Sequence, residues 1–205
     1  MDGVIADTVG PHLRSWRRLA EEIGVPLPDE GALLGRKREE ALAVLLGEVR
    51  VSGAERGDLL ARKQRYFLEE IEAFGPRDAL PGVLDLLTEA RVLGVPLALA
   101  SSSRNVELIL GRLGIAHLFD AVADGATVAN PKPAPDIFVW AAGRLGLPPA
   151  RCAVFEDAPA GVAAGVAGGF LVVGLGPATR VGNAHLVRPD LRGARVAEFV
   201  ALVKS

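Results

Sequence analysis

Three kinds of polar side chain follow short apolar runs of this sequence, at places where chemistry could occur. Serines stand at 101–103, Lys132 lies between two prolines, and Glu156 and Asp157 are adjacent. In open α/β sheets ligands bind beyond the carboxyl ends of the strands, so we expect these side chains at one edge. A hydroxyl, an ammonium and a carboxylate pair on one rim suit Mg²⁺-assisted phosphoryl transfer, in which positioning and charge neutralisation do most of the work.

The serines also have a simpler interpretation. Ser101, Ser102 and Ser103 could cap a helix that starts near position 105, because serine is a good N-cap residue. Hydroxyls and free N–H groups at a helix start also make an anion site. The residues alone leave both interpretations open.

The carboxylate pair and the lysine are open to two interpretations as well. Glu156 and Asp157 could cap the next helix, or they could hold Mg²⁺, which takes oxygen ligands and uses one or two carboxylates with a substrate phosphate. The chain has 19 Arg and four Lys, so a lysine between prolines suggests a point charge held for a phosphate. An ordinary loop lysine is the alternative for Lys132.

The segment after Pro81-Gly82 alternates between strand and helix patterns. Strands that alternate with helices of this size favour an α/β fold with a parallel sheet and helices on both faces. Strand patterns stand at 95–100, 119–123, 152–155 and 170–175, and helical patterns at 83–93, 105–113, 135–145 and 160–168. The serines and the carboxylate pair would then follow two of the strands.

The segment 9–79 has helical periodicity. Apolar residues recur at three- and four-residue spacing in its first part, and a second apolar stripe covers 41–46. A third pattern over 59–71 suggests one or two further helices. We predict a small helical bundle without strands in this segment.

Composition and charge exclude several classes of protein. The 205 residues are 50% hydrophobic with a net charge of −2, unlike disordered chains. No apolar run approaches the ~18 residues of a membrane helix. The sequence also starts without a basic stretch followed by an apolar one, so we expect a cytoplasmic protein with no membrane partner. The densest basic cluster, Arg36-Lys37-Arg38, is followed by two glutamates, so we expect no nucleic-acid partner. The single cysteine, Cys152, excludes a disulfide scaffold.

The segment 2–8, Asp-Gly-Val-Ile-Ala-Asp-Thr, resembles the first motif of the haloacid dehalogenase (HAD) superfamily. Ser101 matches the second motif and Lys132 the third, and the pair 156–157 matches the fourth, all in the superfamily's order and spacing. Within the superfamily the chain is similar to the β-phosphoglucomutases along nearly its whole length. The segments that carry this similarity are Asp7-Thr8, His12, Trp16, Gly35, Arg38-Glu39, 99–101, 132–138, 156–157 and 160–161.

The resemblance implies a Rossmann-like parallel-sheet core, formed by 1–7 and 80–205, with an inserted helical cap domain at 8–79. It implies a Mg²⁺-dependent isomerase that interconverts β-D-glucose 1-phosphate and β-D-glucose 6-phosphate through β-glucose 1,6-bisphosphate. The partner would be a phosphorylated hexose substrate. Because no apolar stripe is left over for an interface, we expect a monomer.

The resemblance also assigns roles to residues of the core. Asp2 would be the general acid/base and would ligate Mg²⁺ through its backbone carbonyl. Asp157 would be a direct Mg²⁺ ligand, with Glu156 ligating or supporting it. Ser101 and Lys132 would hold the transferring phosphate.

Further implied roles fall on the cap and on the loop that follows Ser101. Thr8 and His12 would couple cap closure to the state of the general acid/base, and Arg38 would bind the distal phosphate of the bisphosphate. Substrate-binding roles are implied for Trp16, Arg38, Ser102, Ser103 and Arg104. His12 and Trp16, one turn apart on a helix, could instead only pack the cap.

The sequence departs from the first motif of the superfamily at its nucleophile. The motif reads Asp-x-Asp-Gly, so the phosphorylated aspartate and the strand leading to it would precede Met1. An aspartyl-phosphate step needs a carboxylate in line with the phosphorus. We therefore expect this chain to be inactive by itself, through a late start site, a fragment or a truncated gene. A sugar-phosphate phosphatase on the same fold and a non-catalytic phosphosugar-binding fragment are the alternative functions.

Overall fold

The computed structural model describes residues 1–33 and 38–203, which form two compact units. One unit, here called the core unit, comprises Met1–Asp7 and Phe74–Ser205. The other, the helical unit, comprises Thr8–Ala73. Gly35 and the basic residues Arg36 and Lys37, which the sequence analysis singled out, lie outside the described residues. That the helical unit serves as a cap stays a prediction.

The helical unit contains three α-helices among its described residues, α1 (Val9–Ile23), α2 (Arg38–Leu46) and α3 (Gly53–Glu70). Helix α1 ends at Gly24, whose φ of 70° is the left-handed conformation that glycine favours. Helix α3 begins with a capping box, in which Ser52 and Glu55 each accept the other's backbone N–H. The pattern over 59–71 therefore belongs to one continuous helix and not to two.

Apolar stripes of these helices form a core within the helical unit. Leu19 on α1, Leu42 on α2 and Leu59 on α3 are buried, as is Tyr66 about two turns further along α3. Each helix thus directs one apolar face inward, as the three- and four-residue spacing of the sequence predicts.

The core unit alternates strands and helices, which confirms the predicted α/β class. Its elements are α4 (Val83–Val92), β1 (Ala98–Ala100), α5 (Val106–Leu113), β2 (Ala121–Ala123), α6 (Asp136–Arg144), β3 (Ala153–Glu156), α7 (Pro159–Ala167), β4 (Leu171–Leu175), α8 (Ala178–Val181), β5 (Leu186–Arg188) and α9 (Val196–Val203). Strand β5 was not predicted from the sequence; it is only three residues long and alternates between half-buried and exposed positions. None of the described helices is long and apolar enough to cross a membrane.

All strand pairs of the core unit are parallel. Strand β1 pairs with β2, with Ala100 opposite Ala123, and the order of the second sheet is β3-β4-β5, with Glu156 opposite Gly174. Within the described residues no strand connects β1 to β3. The strands therefore form two separate sheets, where a single sheet was expected. Residues 2–6 form turns, with the N–H groups of Val4 and Ile5 donating to the Met1 carbonyl.

Helix α7 lies close against its sheet because it is built from small residues. A Cβ at Gly165 would lie 2.7 Å from a methyl carbon of Val172 on β4, so only glycine allows this spacing. Val154 on β3 and Val162 on α7 belong to the same buried cluster. The packing fixes the start of α7 directly behind the carboxyl end of β3.

Candidate active site

Glu156 is the last residue of β3, and its carboxylate is almost completely enclosed. One oxygen, Oε2, accepts the backbone N–H groups of Asp157 at 3.2 Å and Ala158 at 3.3 Å. The other, Oε1, pairs with the Lys132 ammonium. The N-cap residue of α7 is Ala158, whose side chain makes no capping bond. Glu156 thus accepts N–H groups at the start of α7, but its ion pair with Lys132 shows that it does more than cap the helix.

Lys132 is not an ordinary loop lysine. Its side chain is 13% exposed and that of its partner Glu156 is 8% exposed. The ammonium also lies 4.5 Å from the ring centroid of Phe138, within the range of a cation–π contact. Ammonium has three donors, so the ion pair leaves donor capacity for a phosphate oxygen.

Gly161 leaves open the space that the Glu156 carboxylate occupies. A Cβ at this position of α7 would lie 2.1 Å from the carboxyl carbon and 2.3 Å from each carboxylate oxygen. Real side-chain contacts are never this short, so the carboxylate occupies the space that any other residue at position 161 would need.

Asp157 lies in a less compensated environment than its neighbour. A Cβ at Gly3, where φ is +66°, would be 2.1 Å from its Oδ2, so the backbone of the 2–6 turn lies directly on this carboxylate. Burial and the nearby negative charge of Glu156 raise the pKa of Asp157. The positive charges of the Met1 amino group and of Arg180 oppose that shift.

The start of the described chain lies within this cluster of charges. The Met1 α-amino group is buried, which lowers its pKa, and the charges of Asp2, Lys132, Glu156 and Asp157 act on it. The structure thus brings together four residues that the sequence analysis placed at one site. Asp2 is half-buried, and residues 2 and 6 form a bridge that fixes the intervening turn.

Ser101 follows β1 and is 2% exposed. Its N–H donates to the Ala123 carbonyl at 3.0 Å, which extends the β1–β2 ladder by one bond. Its Oγ accepts the N–H of Ser103 at 3.1 Å, and the Ser103 Oγ accepts the N–H of Asn105 at 3.1 Å. Helix α5 has Asn105 as its N-cap residue, without a side-chain capping bond. The capping interpretation is therefore wrong for these two serines, which order the loop before the helix.

The remaining residues of this loop are more open. Ser102 and Arg104 are exposed and Ser103 is half-buried. A Cβ at Gly125 would lie 2.2 Å from the Ser102 carbonyl oxygen, and the Gly125 N–H donates to the Ser103 carbonyl at 3.1 Å. The loop that follows β2 thus supports the loop that follows β1, while the Ser102 and Arg104 side chains stay accessible.

In the helical unit, His12 and Trp16 surround a buried lysine that the sequence analysis missed. The Lys63 ammonium lies 2.7 Å from His12 Nδ1 and 5.0 Å from the ring centroids of both Trp16 and Phe67. The His12 ring stacks on Phe67 at 4.0 Å. The available signal was a charged residue within the apolar stripe of α3, in a chain with four lysines. His12 and Trp16 do pack within this unit, around a charge.

The other predicted residues of the helical unit lie at helix starts. Thr8 is fully buried and precedes α1, with its carbonyl accepting the His12 N–H at 3.0 Å. Arg38 is the first residue of α2, and its guanidinium Nη1 donates to Gln64 Oε1 at 3.1 Å. Gln64 was not predicted, since nothing in the sequence connects it with Arg38.

No three His, Cys, Asp or Glu side chains among the described residues are grouped so that they could hold a metal ion by themselves. The predicted set of Asp2, Glu156 and Asp157 is thus not a three-carboxylate site. This is compatible with the implied role of Asp2, which is to ligate through its backbone carbonyl.

Comparisons with known proteins identify the relatives of this chain. The sequence model of the haloacid dehalogenase-like hydrolase family matches residues 1–169. The β-phosphoglucomutase of Bacillus subtilis (strain 168) is 40% identical over 193 residues, which cover 91% of this chain and 85% of that protein. A crystal structure of β-phosphoglucomutase from Clostridium difficile matches with a TM-score of 0.90 at 30% identity, covering 99% and 94% of the two chains. The fructose-1-phosphate phosphatase YqaB of Escherichia coli (strain K12) is 31% identical over 176 residues, 83% of this chain and 90% of that protein.

Proposed function

Because this chain belongs to the haloacid dehalogenase-like hydrolase family, we propose that it has the fold and the phosphate-binding site of a Mg²⁺-dependent phosphosugar mutase. The reaction interconverts β-D-glucose 1-phosphate and β-D-glucose 6-phosphate through β-glucose 1,6-bisphosphate. The observation that carries the proposal is the buried Lys132–Glu156 pair beside Asp157 at the carboxyl end of β3. The 40% identity to a β-phosphoglucomutase over most of the chain supports the choice of reaction.

The donor set at the end of β3 fits a hard divalent cation. Two adjacent carboxylates supply oxygen ligands, and the Lys132 ammonium forms its ion pair with Glu156. Burial and the negative charge of Glu156 raise the pKa of Asp157, and a bound cation would favour its ionised form. Asp157, the Asp2 carbonyl and, directly or as a support, Glu156 would hold the ion. When bound, Mg²⁺ neutralises charge on the phosphoryl oxygens.

The chain's own residues then bind and orient the phosphosugar. Lys132 and the buried Ser101 hold the transferring phosphate through charge-assisted and hydroxyl hydrogen bonds. Arg38 binds the distal phosphate, since a guanidinium can donate to two phosphate oxygens at once. The Asp2 carboxyl takes the proton from the attacking sugar hydroxyl and returns it in the reverse direction.

Covalent transfer needs one group that these 205 residues do not supply. The resemblance places the nucleophilic carboxylate one residue before Met1, and Asp7, five residues after Asp2, matches a different motif position. We therefore propose that the 205-residue chain binds phosphosugar without transferring its phosphoryl group.

A phosphatase is the second candidate, because fructose-1-phosphate phosphatase YqaB is 31% identical to this chain. In a phosphatase water accepts the phosphoryl group, whereas in a mutase a second sugar hydroxyl accepts it. The two functions therefore differ in their products and not in the phosphate-binding residues.

The test uses the 205-residue chain and, in parallel, an extended chain in which an aspartate is added directly before Met1. Both receive β-glucose 1-phosphate, Mg²⁺ and a β-glucose 1,6-bisphosphate primer, and glucose 6-phosphate and inorganic phosphate are measured. We expect glucose 6-phosphate from the extended chain only. Phosphate release without glucose 6-phosphate would contradict the mutase assignment in favour of the phosphatase. Turnover by the 205-residue chain would contradict the need for an upstream carboxylate.

A further inference from the structure

Arg38 occupies an electrostatically unfavourable place, which calls for an explanation. It is the first residue of α2, where the helix macrodipole disfavours a cation. The acidic residues of the first turn, Glu39 and Glu40, are one and two positions away, a spacing at which helical side chains do not face each other. The position of the guanidinium is therefore not set by its own helix.

A side chain of another helix holds the Arg38 guanidinium. Gln64 of α3 accepts a hydrogen bond from Arg38 Nη1 at 3.1 Å, and both side chains are half-buried. Gln64 directly follows the buried Lys63, whose place on α3 is fixed by packing against Trp16 and Phe67. The acceptor thus stands on a well-anchored part of the helix.

The acceptor of the Arg38 hydrogen bond is a neutral amide and not a carboxylate, and this determines whether the guanidinium keeps its charge. A carboxylate at the same place would bind the guanidinium as an ion pair and neutralise it. The Gln64 amide is neutral, so it fixes the direction of the guanidinium and leaves its full charge, and further N–H donors, available for an anion. A purely structural contact would gain from a charged partner, and the surface of the same helical unit uses several, among them Arg14 with Glu70 and Arg18 with Glu69.

We propose that Gln64 is the positioning residue for Arg38, an uncharged acceptor that orients the guanidinium toward a phosphate without competing with it. This inference rests on the proposed function, in which Arg38 binds the distal phosphate of a hexose bisphosphate. It extends that function with a residue that determines how well the second phosphate is recognised.

The quantity to measure is the preference of the full 205-residue chain for two phosphates over one. Dissociation constants for β-glucose 1,6-bisphosphate and glucose 6-phosphate, determined by isothermal titration calorimetry in Mg²⁺, give this preference as a ratio. Changes in overall folding or in the site at β3 affect both ligands and cancel. Only the contribution of the distal phosphate remains in the ratio.

Gln64→Glu is the decisive variant, because it keeps the size and the acceptor but adds the competing charge. We expect the ratio to fall about fivefold, the upper range of a partly exposed ion pair. Ala54→Glu is the matched control, since it adds the same charge at an exposed site of α3 ten residues away, about 15 Å along a helix. It should leave the ratio unchanged.

Arg38→Met separates failure of this inference from failure of the proposed function. If Arg38→Met lowers the ratio and Gln64→Glu leaves it within 1.5-fold of the parent, the positioning role of Gln64 is overturned. If Arg38→Met itself leaves the ratio unchanged, the distal-phosphate assignment of Arg38 fails, and the inference fails with it. A fall in both variants, with the Ala54→Glu control unchanged, supports the proposal.

Discussion

Gly161 lies against the buried Glu156 carboxylate. Replacing Gly161 with alanine tests how tightly the helix backbone packs against this carboxylate. The new Cβ would lie 2.1 Å from the carboxyl carbon, whereas ordinary contact begins at 3.4 Å, so carboxylate or helix must move by about 1.3 Å. The carboxylate is not free to move, because Lys132 and two backbone N–H groups hold it. We expect Gly161→Ala to displace the carboxylate together with the Lys132 ammonium.

Two opposing contributions set the effect of Gly161→Ala on stability. Overpacking in a closed site costs about 1–3 kcal/mol, whereas replacing glycine by alanine inside a helix gains up to about 1 kcal/mol. The free energy of unfolding should therefore fall by about 0–3 kcal/mol. Mg²⁺-dependent binding of glucose 6-phosphate should weaken at least about tenfold, because a hydrogen bond to a charged group is worth about 1.5–3 kcal/mol.

Gly111→Ala is the matched control for this variant. Gly111 lies inside α5, and a Cβ there meets nothing within 4 Å, so the same substitution should stabilise the protein by up to about 1 kcal/mol and leave binding unchanged. Urea unfolding followed by circular dichroism gives the stabilities, and calorimetry gives the affinities. If Gly161→Ala binds glucose 6-phosphate as tightly as the parent chain, the absence of a side chain at Gly161 is not required for phosphate binding.

Three further predictions concern charged groups of the core unit. Lys132→Met leaves the Glu156 carboxylate buried without its cation, so urea unfolding should show a loss of about 3–5 kcal/mol, and a loss below about 1 kcal/mol would contradict the buried pair. Hydrogen bonds from Arg195 hold the pKa of Glu89 below its usual value. The contribution of this carboxylate to stability is therefore present above about pH 4.3 and is lost as the pH falls through the lowered pKa. Glu89→Gln should flatten the acid limb of the plot of Tm against pH. Burial raises the pKa of Asp157, so its ionised form destabilises the metal-free fold above that pKa and the penalty disappears as the pH falls. Asp157→Asn should therefore raise the metal-free Tm at neutral pH and abolish the Tm increase that Mg²⁺ gives the parent.

The elements that could be predicted from sequence are those with strong local signals. Helices α1 and α5 end at Gly24 and Gly114, with φ of 70° and 72°, and such glycine stops are visible in the sequence. The apolar runs before Ser101 and Glu156 are also local, and they placed β1 and β3 correctly. The order of the polar residues after these strands then placed the site at their carboxyl ends.

The features that the sequence did not reveal depend on partners far along the chain. Lys63 acquires its role from His12, 51 positions away, and Gln64 from Arg38, 26 positions away. Neither pair has a spacing that any periodicity marks, because the helices bring them together only after packing. Strand β5 was missed for a different reason, since three residues with one exposed valine carry too little alternation to be distinguished from a loop.

The two adjacent carboxylates at the end of β3 have different environments, and this difference assigns their roles. The Glu156 carboxylate is held by Lys132 and by two backbone N–H groups, and it fills the space beside the bare backbone of Gly161. Asp157 lies against the main chain at Gly3, and its raised pKa shows an anion that its surroundings do not fully compensate. A cation is stabilised most by the carboxylate whose negative charge is least balanced by its surroundings. We therefore propose Asp157 as the direct Mg²⁺ ligand and Glu156 as the support that holds Lys132 in place.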